Sequence, residues 1–210
     1  MEKIKNLMFD LGGVIMDIRR ENAVEALKAI GMEKADELLG VYGQKGVFLQ
    51  LEKGLISPAE FRDALREEIS ADVTDRQIDE AFTKFLIGIP VDRLRQLEKL
   101  RNEGYRIYLL SNTNALMWHG FIVNEFTIDG KTINDYFDGI VTSFEAHAYK
   151  PDAAIFNYAA DHCRIIPSET LFFDDSLENC EAARRLGFHA AHVSDPSLPF
   201  SSHLGDYLQG

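Results

Sequence analysis

Five short apolar runs, "IKNLMFD", "YRIYLLS", "FDGIVTS", "TLFFDD" and "FHAAHV", punctuate this chain, and amphipathic segments fill much of the sequence between the later ones. That alternation restricts the fold more than any other feature. Runs of this kind read as buried strands, and strands buried on both faces lie in parallel sheets whose crossovers are helices. The segments between them have the helical period. In "VDRLRQLEKLRNEG", Val91, Leu94, Leu97 and Leu100 share one stripe, and Gly104 follows as a C-terminal cap. "KPDAAIFNYAADH" and "DSLENCEAARRLG" are amphipathic in the same way, the second ending at Gly187. The expected architecture is α/β, with a parallel sheet covered by helices on both faces. Functional side chains should gather at the carboxyl ends of its strands, where ligands bind in such sheets.

Residues from about 20 to 88 break the alternation, with plentiful helical signals and no convincing strand. "SPAEFRDALREEIS" opens with Ser57 as N-cap, Pro58 at the first helical position and Glu60 closing a capping box; Thr74 and Gln77 repeat the pattern in "TDRQIDEAFTKFL". The stretch reads as a helical insertion that sits over the sheet edge as a lid, with hinges near 17–20 and 88–90. The core is then 1–19 with 89–210, and the lid 20–88.

Composition narrows the function. The 210 residues carry 46% apolar and 27% charged side chains, those of an ordinary globular protein. A net charge of −12 without a dense Lys/Arg cluster argues against nucleic acid as a partner. No apolar stretch approaches the ~20 residues a membrane helix needs. Two cysteines, Cys163 and Cys180, are too few for a disulfide framework and fit a reducing cytoplasm as small core residues.

Four polar signals follow the strand-like runs in order: Asp10, then Ser111 with Asn112, then Lys150, then Asp174 with Asp175. Singly, each has an ordinary reading as a turn former, a helix cap or a solvated lysine. Together they supply what phosphoryl transfer from a monoester requires: a nucleophile, a cation site, hydroxyl donors and a fixed positive charge. A carboxylate approaching a phosphate dianion is repelled unless cations intervene. Mg2+ suits such a place, because it takes a few carboxylates plus waters and phosphate oxygens. Asp10, Asp175 and the more remote Asp174 can hold it, while Lys150 and Ser111 bind the transferring group.

In four ordered motifs, "DLGGV" at 10–14, "LLSNT" at 109–113, "YKPD" at 149–152 and "FFDDS" at 172–176, the chain resembles phosphatases of the haloacid dehalogenase superfamily. The resemblance covers nearly the whole length. It implies a Rossmann-like core with a helical cap inserted after the first strand, an aspartyl-phosphate intermediate and Mg2+. It also implies Asp10 as nucleophile, Ser111, Asn112 and Lys150 as phosphate ligands, Asp175 and the Gly12 carbonyl as metal ligands, and Asp174 as outer-shell support. "FDLGGVIMD", "FLQLEKGLISPAEF" and "FFDDSLENCEAARRLG" are most similar to the bacterial sugar-phosphate branch that includes alpha-D-glucose-1-phosphate phosphatases.

One departure from the family pattern bears on mechanism. Gly12 stands where most of these phosphatases have an aspartate that protonates the leaving alcohol, help usually worth ~10²–10⁴-fold. A small phosphorylated metabolite with an acidic leaving hydroxyl, such as a sugar 1-phosphate, suffers least from that loss. Two alternatives follow: a binding or regulatory module with weakened turnover, and a metal-independent 2-haloacid dehalogenase, against which the acid pair 174–175 argues. His147 reads as a solvated loop residue, Trp118 and His119 as packing groups. Tyr42, Gln44, Phe48 and Glu52 read equally as cap core and as a surface that selects substrate. Monomer and homodimer are both compatible with the sequence.

Overall fold

The computed structural model describes residues 3–40, 43–69 and 71–204. Its five-stranded sheet is all parallel, in the order β5-β4-β1-β6-β7. The strands are β1 (Asn6–Phe9), β4 (Arg106–Ser111), β5 (Gly139–Thr142), β6 (Thr170–Asp174) and β7 (His189–His192). Each of the five apolar runs therefore forms a strand, with its ends given over to turns. Phe9 pairs in register with Leu109 on one side and Phe173 on the other, so the three strand ends lie abreast.

Alternation along the strands divides the core between two faces. Leu7, Phe9, Ile107, Leu109, Leu171 and Phe173 enter one apolar cluster, Met8, Tyr108, Leu110 and Phe172 the other. The first face is covered by α6 (Val91–Asn102) through Leu94, Leu97 and Leu100. The second is covered by α10 (Ala153–Cys163) and α11 (Leu177–Arg185), through Ile155, Phe156, Ala159, Cys180 and Ala183. Cys180 is buried, Cys163 half-buried, and both are free thiols.

Between β1 and α6 run five helices: α1 (Arg20–Ala29), α2 (Ala35–Leu38), α3 (Gly46–Glu52), α4 (Pro58–Glu68) and α5 (Asp75–Thr83). Both capping boxes form, with the Ser57 and Thr74 hydroxyls accepting from the backbone N–H groups of Glu60 and Gln77. Phe48, Phe61 and Phe82 interlock with ring centroids 5.1 to 5.3 Å apart. Phe48 thus belongs to the packing of these helices. Their apolar residues belong to the same cluster as the first sheet face, which also takes in Val14, Ile15 and Met16.

The expectation that this region lacks strands needs correction at its edges. β2 (Asp17–Ile18) and β3 (Leu86–Gly88) pair antiparallel, Asp17 with Gly88 and Ile18 with Leu86, at the two points read as hinges. Strands of two and three residues are too short for a period-2 pattern to show. Buried Arg93 fastens the junction, donating to the carbonyls of Ile15 (3.1 Å) and Pro196 (3.3 Å) and pairing with Asp17 at 2.8 Å. Of the packing residues expected after the second strand, Trp118 on α7 (Ala115–Gly120) is buried, whereas His119 is exposed with its ring edge-on to Phe144. The remaining short helices are α8 (Ile133–Tyr136) and α9 (Ser143–Ala146). Among the described residues no helix is long and apolar enough to cross a membrane.

Candidate active site

The chain leaves β1 toward β4 on one side and returns to β6 on the other, so a crevice opens at the carboxyl ends of these three strands. Asp10 directly follows β1, Ser111 ends β4, and Asp174 ends β6 with Asp175 next in the chain. Lys150 reaches the same place from the loop after α9. Its side chain is 1% exposed, and the ammonium lies 2.8 Å from Asp10 Oδ1 and 2.7 Å from Asp174 Oδ2. One cation thus bridges two strand-end carboxylates.

The loop that carries Lys150 is held by Asn112. Its side-chain carbonyl accepts from the Lys150 N–H at 2.9 Å, and its amide donates to the Lys150 carbonyl at 3.0 Å. The Asn112 side chain thereby holds the Lys150 loop, and Asn112 also lines the cavity. Ser111 lines the cavity and is buried.

Asp174 is fully buried. Beyond Lys150 it accepts from the Ser176 N–H at 2.8 Å and from the Asn179 amide at 3.0 Å. These bonds place it behind Asp10 and Asp175, both of which face the cavity. The Asp175 carbonyl accepts from His192 Nε2 at 3.0 Å, and the Asp175 carboxylate lies flat against Gly13. Only glycine fits there. Gly13 has φ +71°, and a Cβ on it would lie 2.7 Å from Asp175 Cγ and nearer still to Oδ2.

Oxygen atoms of Asp10, Asp174 and Asp175 can all lie within 4.8 Å of one another. Three carboxylates and one ammonium leave an excess of negative charge in a desolvated place. Burial above all pushes Asp10 up to about 8, against the pull of Lys150 and with the help of Asp174 and Asp175. Burial and Asp174 raise Asp175 to about 6. Burial disfavours the charge on Lys150, yet the carboxylates of Asp10 and Asp174 outweigh it and hold the ammonium above its ordinary range. This donor set fits a small divalent cation, which would restore the charge balance.

The cavity above this cluster has apolar walls of Met16, Ile18, Leu39, Phe82, Phe85, Leu86, Met117 and Ile122. Gly12 lies in the wall too, and a Cβ on it would meet Ile18 Cδ1 at 3.3 Å. Of the four cap residues singled out in the sequence, Tyr42 lies outside the described residues and Phe48 does not line the cavity. Gln44 does, but its amide is bonded both ways to the backbone of Gly40. Glu52 lines the cavity as a buried carboxyl. His147 is exposed, with Nδ1 3.1 Å from the Lys53 carbonyl, and is not part of the wall. Sequence reasoning missed Tyr149 and Asn179 as cavity residues. Tyr149 adjoins Lys150, but nothing in "YKPD" tells which way its ring turns.

The pattern of the haloacid dehalogenase-like hydrolases matches residues 4–187. The chain belongs to that family. Among its relatives is the D-ribitol-5-phosphate phosphatase of Bacteroides thetaiotaomicron, 38% identical over 185 residues that cover 88% of this chain and 89% of that one. A haloacid dehalogenase family enzyme from Bacteroides thetaiotaomicron, crystallised as the wild-type protein with magnesium and inorganic phosphate, superposes with a TM-score of 0.87. The two are 42% identical, and the match covers 95% of this chain and 98% of that one. The L-2-haloacid dehalogenase of Xanthobacter autotrophicus shares the fold at 20% identity, with a TM-score of 0.61 over 90% of this chain and 77% of that one.

In this haloacid dehalogenase-like hydrolase, Gly13 gives a direct test of the carboxylate arrangement. Gly13→Ala should drive the Asp175 carboxylate from its seat and strain a left-handed backbone position, at a cost on the order of 1–3 kcal/mol. The expected result is a lowered urea midpoint together with weakened divalent-cation binding by calorimetry. A variant with wild-type cation affinity would show that the seat does not matter.

Proposed function

We propose that the protein is a Mg2+-dependent phosphatase of small phosphorylated metabolites, acting on a sugar or polyol phosphate through an aspartyl-phosphate on Asp10. The observation that carries this reading is Lys150 set between Asp10 and Asp174, with Asp175 alongside and the negative charge in excess. The relatives support it, since one is a D-ribitol-5-phosphate phosphatase and another was crystallised with magnesium and inorganic phosphate.

Asp10, Asp175 and the Gly12 carbonyl would hold Mg2+, with Asp174 supporting Asp175 and Lys150 from behind. Bound there, Mg2+ supplies charge that lets a carboxylate approach a phosphate dianion. An Asp10 oxygen attacks phosphorus, while Lys150 and Ser111 take the negative phosphoryl oxygens. Asn112 keeps the Lys150 loop in place. Residues 20–88 act as the cap over the core of 1–19 and 89–210, and Phe82, Phe85 and Leu86 keep bulk water from the ester. The free thiols Cys163 and Cys180 support a reducing, cytoplasmic setting.

The test is hydrolysis of a panel that includes sugar 1-phosphates and ribitol 5-phosphate, with Mg2+ and then with excess EDTA. Turnover should depend on the metal. Asp175→Asn should weaken Mg2+ binding by at least about 10²-fold, more than loss of an outer-shell partner costs. Undiminished turnover in EDTA would sink the metal-dependent reading.

A further inference from the structure

We propose that Glu52 is the general acid of this hydrolase, supplying from the helical insertion the proton that Gly12 cannot. The proposal rests on the phosphatase reading and deepens it. In an in-line displacement the leaving oxygen departs on the side of phosphorus opposite the attacking Asp10 oxygen. Asp10 lies at the floor of the cavity, so the leaving oxygen departs into that cavity, and with Gly12 lacking a side chain the proton donor is sought among the other acids that line it.

Glu52 is the last residue of α3 and lines the cavity that holds Asp10 and Gly12. It is 7% exposed, and its Oε2 is buried without a hydrogen-bond partner. A buried carboxyl oxygen left unpaired costs free energy and calls for a ligand that completes it. Its backbone is fixed, because the Ser143 hydroxyl donates to the Glu52 carbonyl at 2.6 Å. Its side chain shares a hydrogen bond with Tyr149, beside Lys150 in the chain. Burial pushes the Glu52 carboxyl up to about 8, with Tyr149 opposing and Asp10 adding, which favours its protonated form.

The other acids near the cavity are poorer donors. His147 turns its ring to the Lys53 carbonyl and does not line the cavity. Burial raises the Tyr149 hydroxyl above its ordinary range, which makes it a weaker acid. Asp174 is occupied by Lys150, Ser176 and Asn179.

The steps balance. An Asp10 oxygen bonds to phosphorus as the bond from phosphorus to the leaving oxygen breaks, and the Glu52 proton passes to that oxygen to release the alcohol. Water then enters the vacated side and gives a proton to the Glu52 carboxylate as its oxygen bonds to phosphorus. The bond from phosphorus to Asp10 breaks, phosphate leaves, and both carboxyl groups return to their starting states.

The experiment compares leaving groups. kcat/KM is measured with Mg2+ for acetyl phosphate, p-nitrophenyl phosphate, sugar 1-phosphates and primary-alcohol esters such as ribitol 5-phosphate. In the wild-type protein, log kcat/KM should vary weakly with leaving-group pKa. Glu52→Gln should lower the rate for primary-alcohol esters by about 10²–10⁴-fold and that for acetyl phosphate far less, steepening the plot. Equal losses across the series, or none, would overturn the assignment. So would a steep plot in the wild-type protein, an outcome that does not depend on the variant folding. Failure of the wild-type protein to hydrolyse any member of the series would instead remove the phosphatase reading, and this proposal with it.

Discussion

Asp10→Asn should reduce turnover by on the order of 10⁴–10⁶-fold, the scale seen when a nucleophile that works in concert with its neighbours is removed. Asparagine keeps the shape of the side chain but is a far weaker nucleophile toward phosphorus. Lys150 retains Asp174 at 2.7 Å, so the bridge to the sheet survives and the protein should fold. The measurement is single-turnover kinetics with radiolabelled substrate, followed by mapping of any labelled peptide. Label should appear on Asp10 in the wild-type protein and nowhere in the variant. Label on another residue of the wild-type protein would show that the nucleophile lies elsewhere.

Lys150→Met should destabilise the fold by about 3–5 kcal/mol in EDTA, because it removes the buried cation that touches both Asp10 and Asp174. The loss should widen as pH rises from about 7 to about 9. Burial already raises Asp10 to about 8, and without Lys150 it rises further. Through that window the folded variant keeps a proton that the unfolded chain, and increasingly the folded wild-type protein, has shed, so the variant's stability falls more steeply as pH rises. Saturating Mg2+ binds only the folded carboxylates and should recover part of the deficit. Urea midpoints at the two pH values, with and without Mg2+, check all three statements. A deficit that narrows toward pH 9 would contradict the electrostatic account.

Much of this arrangement was legible because strand ends are punctuated in the sequence. Asp10, Ser111 and Asp174 each close an apolar run, and parallel strands carry their closing residues to one edge. Ser57 and Thr74 announced their helices through bonds made within four residues. Glu52 was not legible in the same way. It occupies one position in an amphipathic stretch, and its burial comes from α3 packing against distant segments, Ser143 and Tyr149 among them. Asn112 illustrates a further limit, since it lines the cavity beside Ser111 while its amide also grips a backbone 38 residues away, a contact no local pattern shows. The β2–β3 pairing was hidden because its two short segments acquire extended structure only by meeting.

That pairing also bears on how such a chain can change over generations. Asp17 and Gly88 are directly opposed, so everything between them is an excursion whose departure and return points are neighbours. Closing a loop onto fixed, adjacent ends costs only about 0.6 kcal/mol more for each doubling of its length. Insertions and deletions within the excursion therefore leave the strand register at Asp10 undisturbed. What limits them is the apolar seam shared with Val14, Ile15 and Met16, which any replacement must cover again. Helices above the cleft can be exchanged as long as the new ones present a matching greasy underside, and the carboxylate cluster at the strand ends can stay constant while the opposite wall is rewritten.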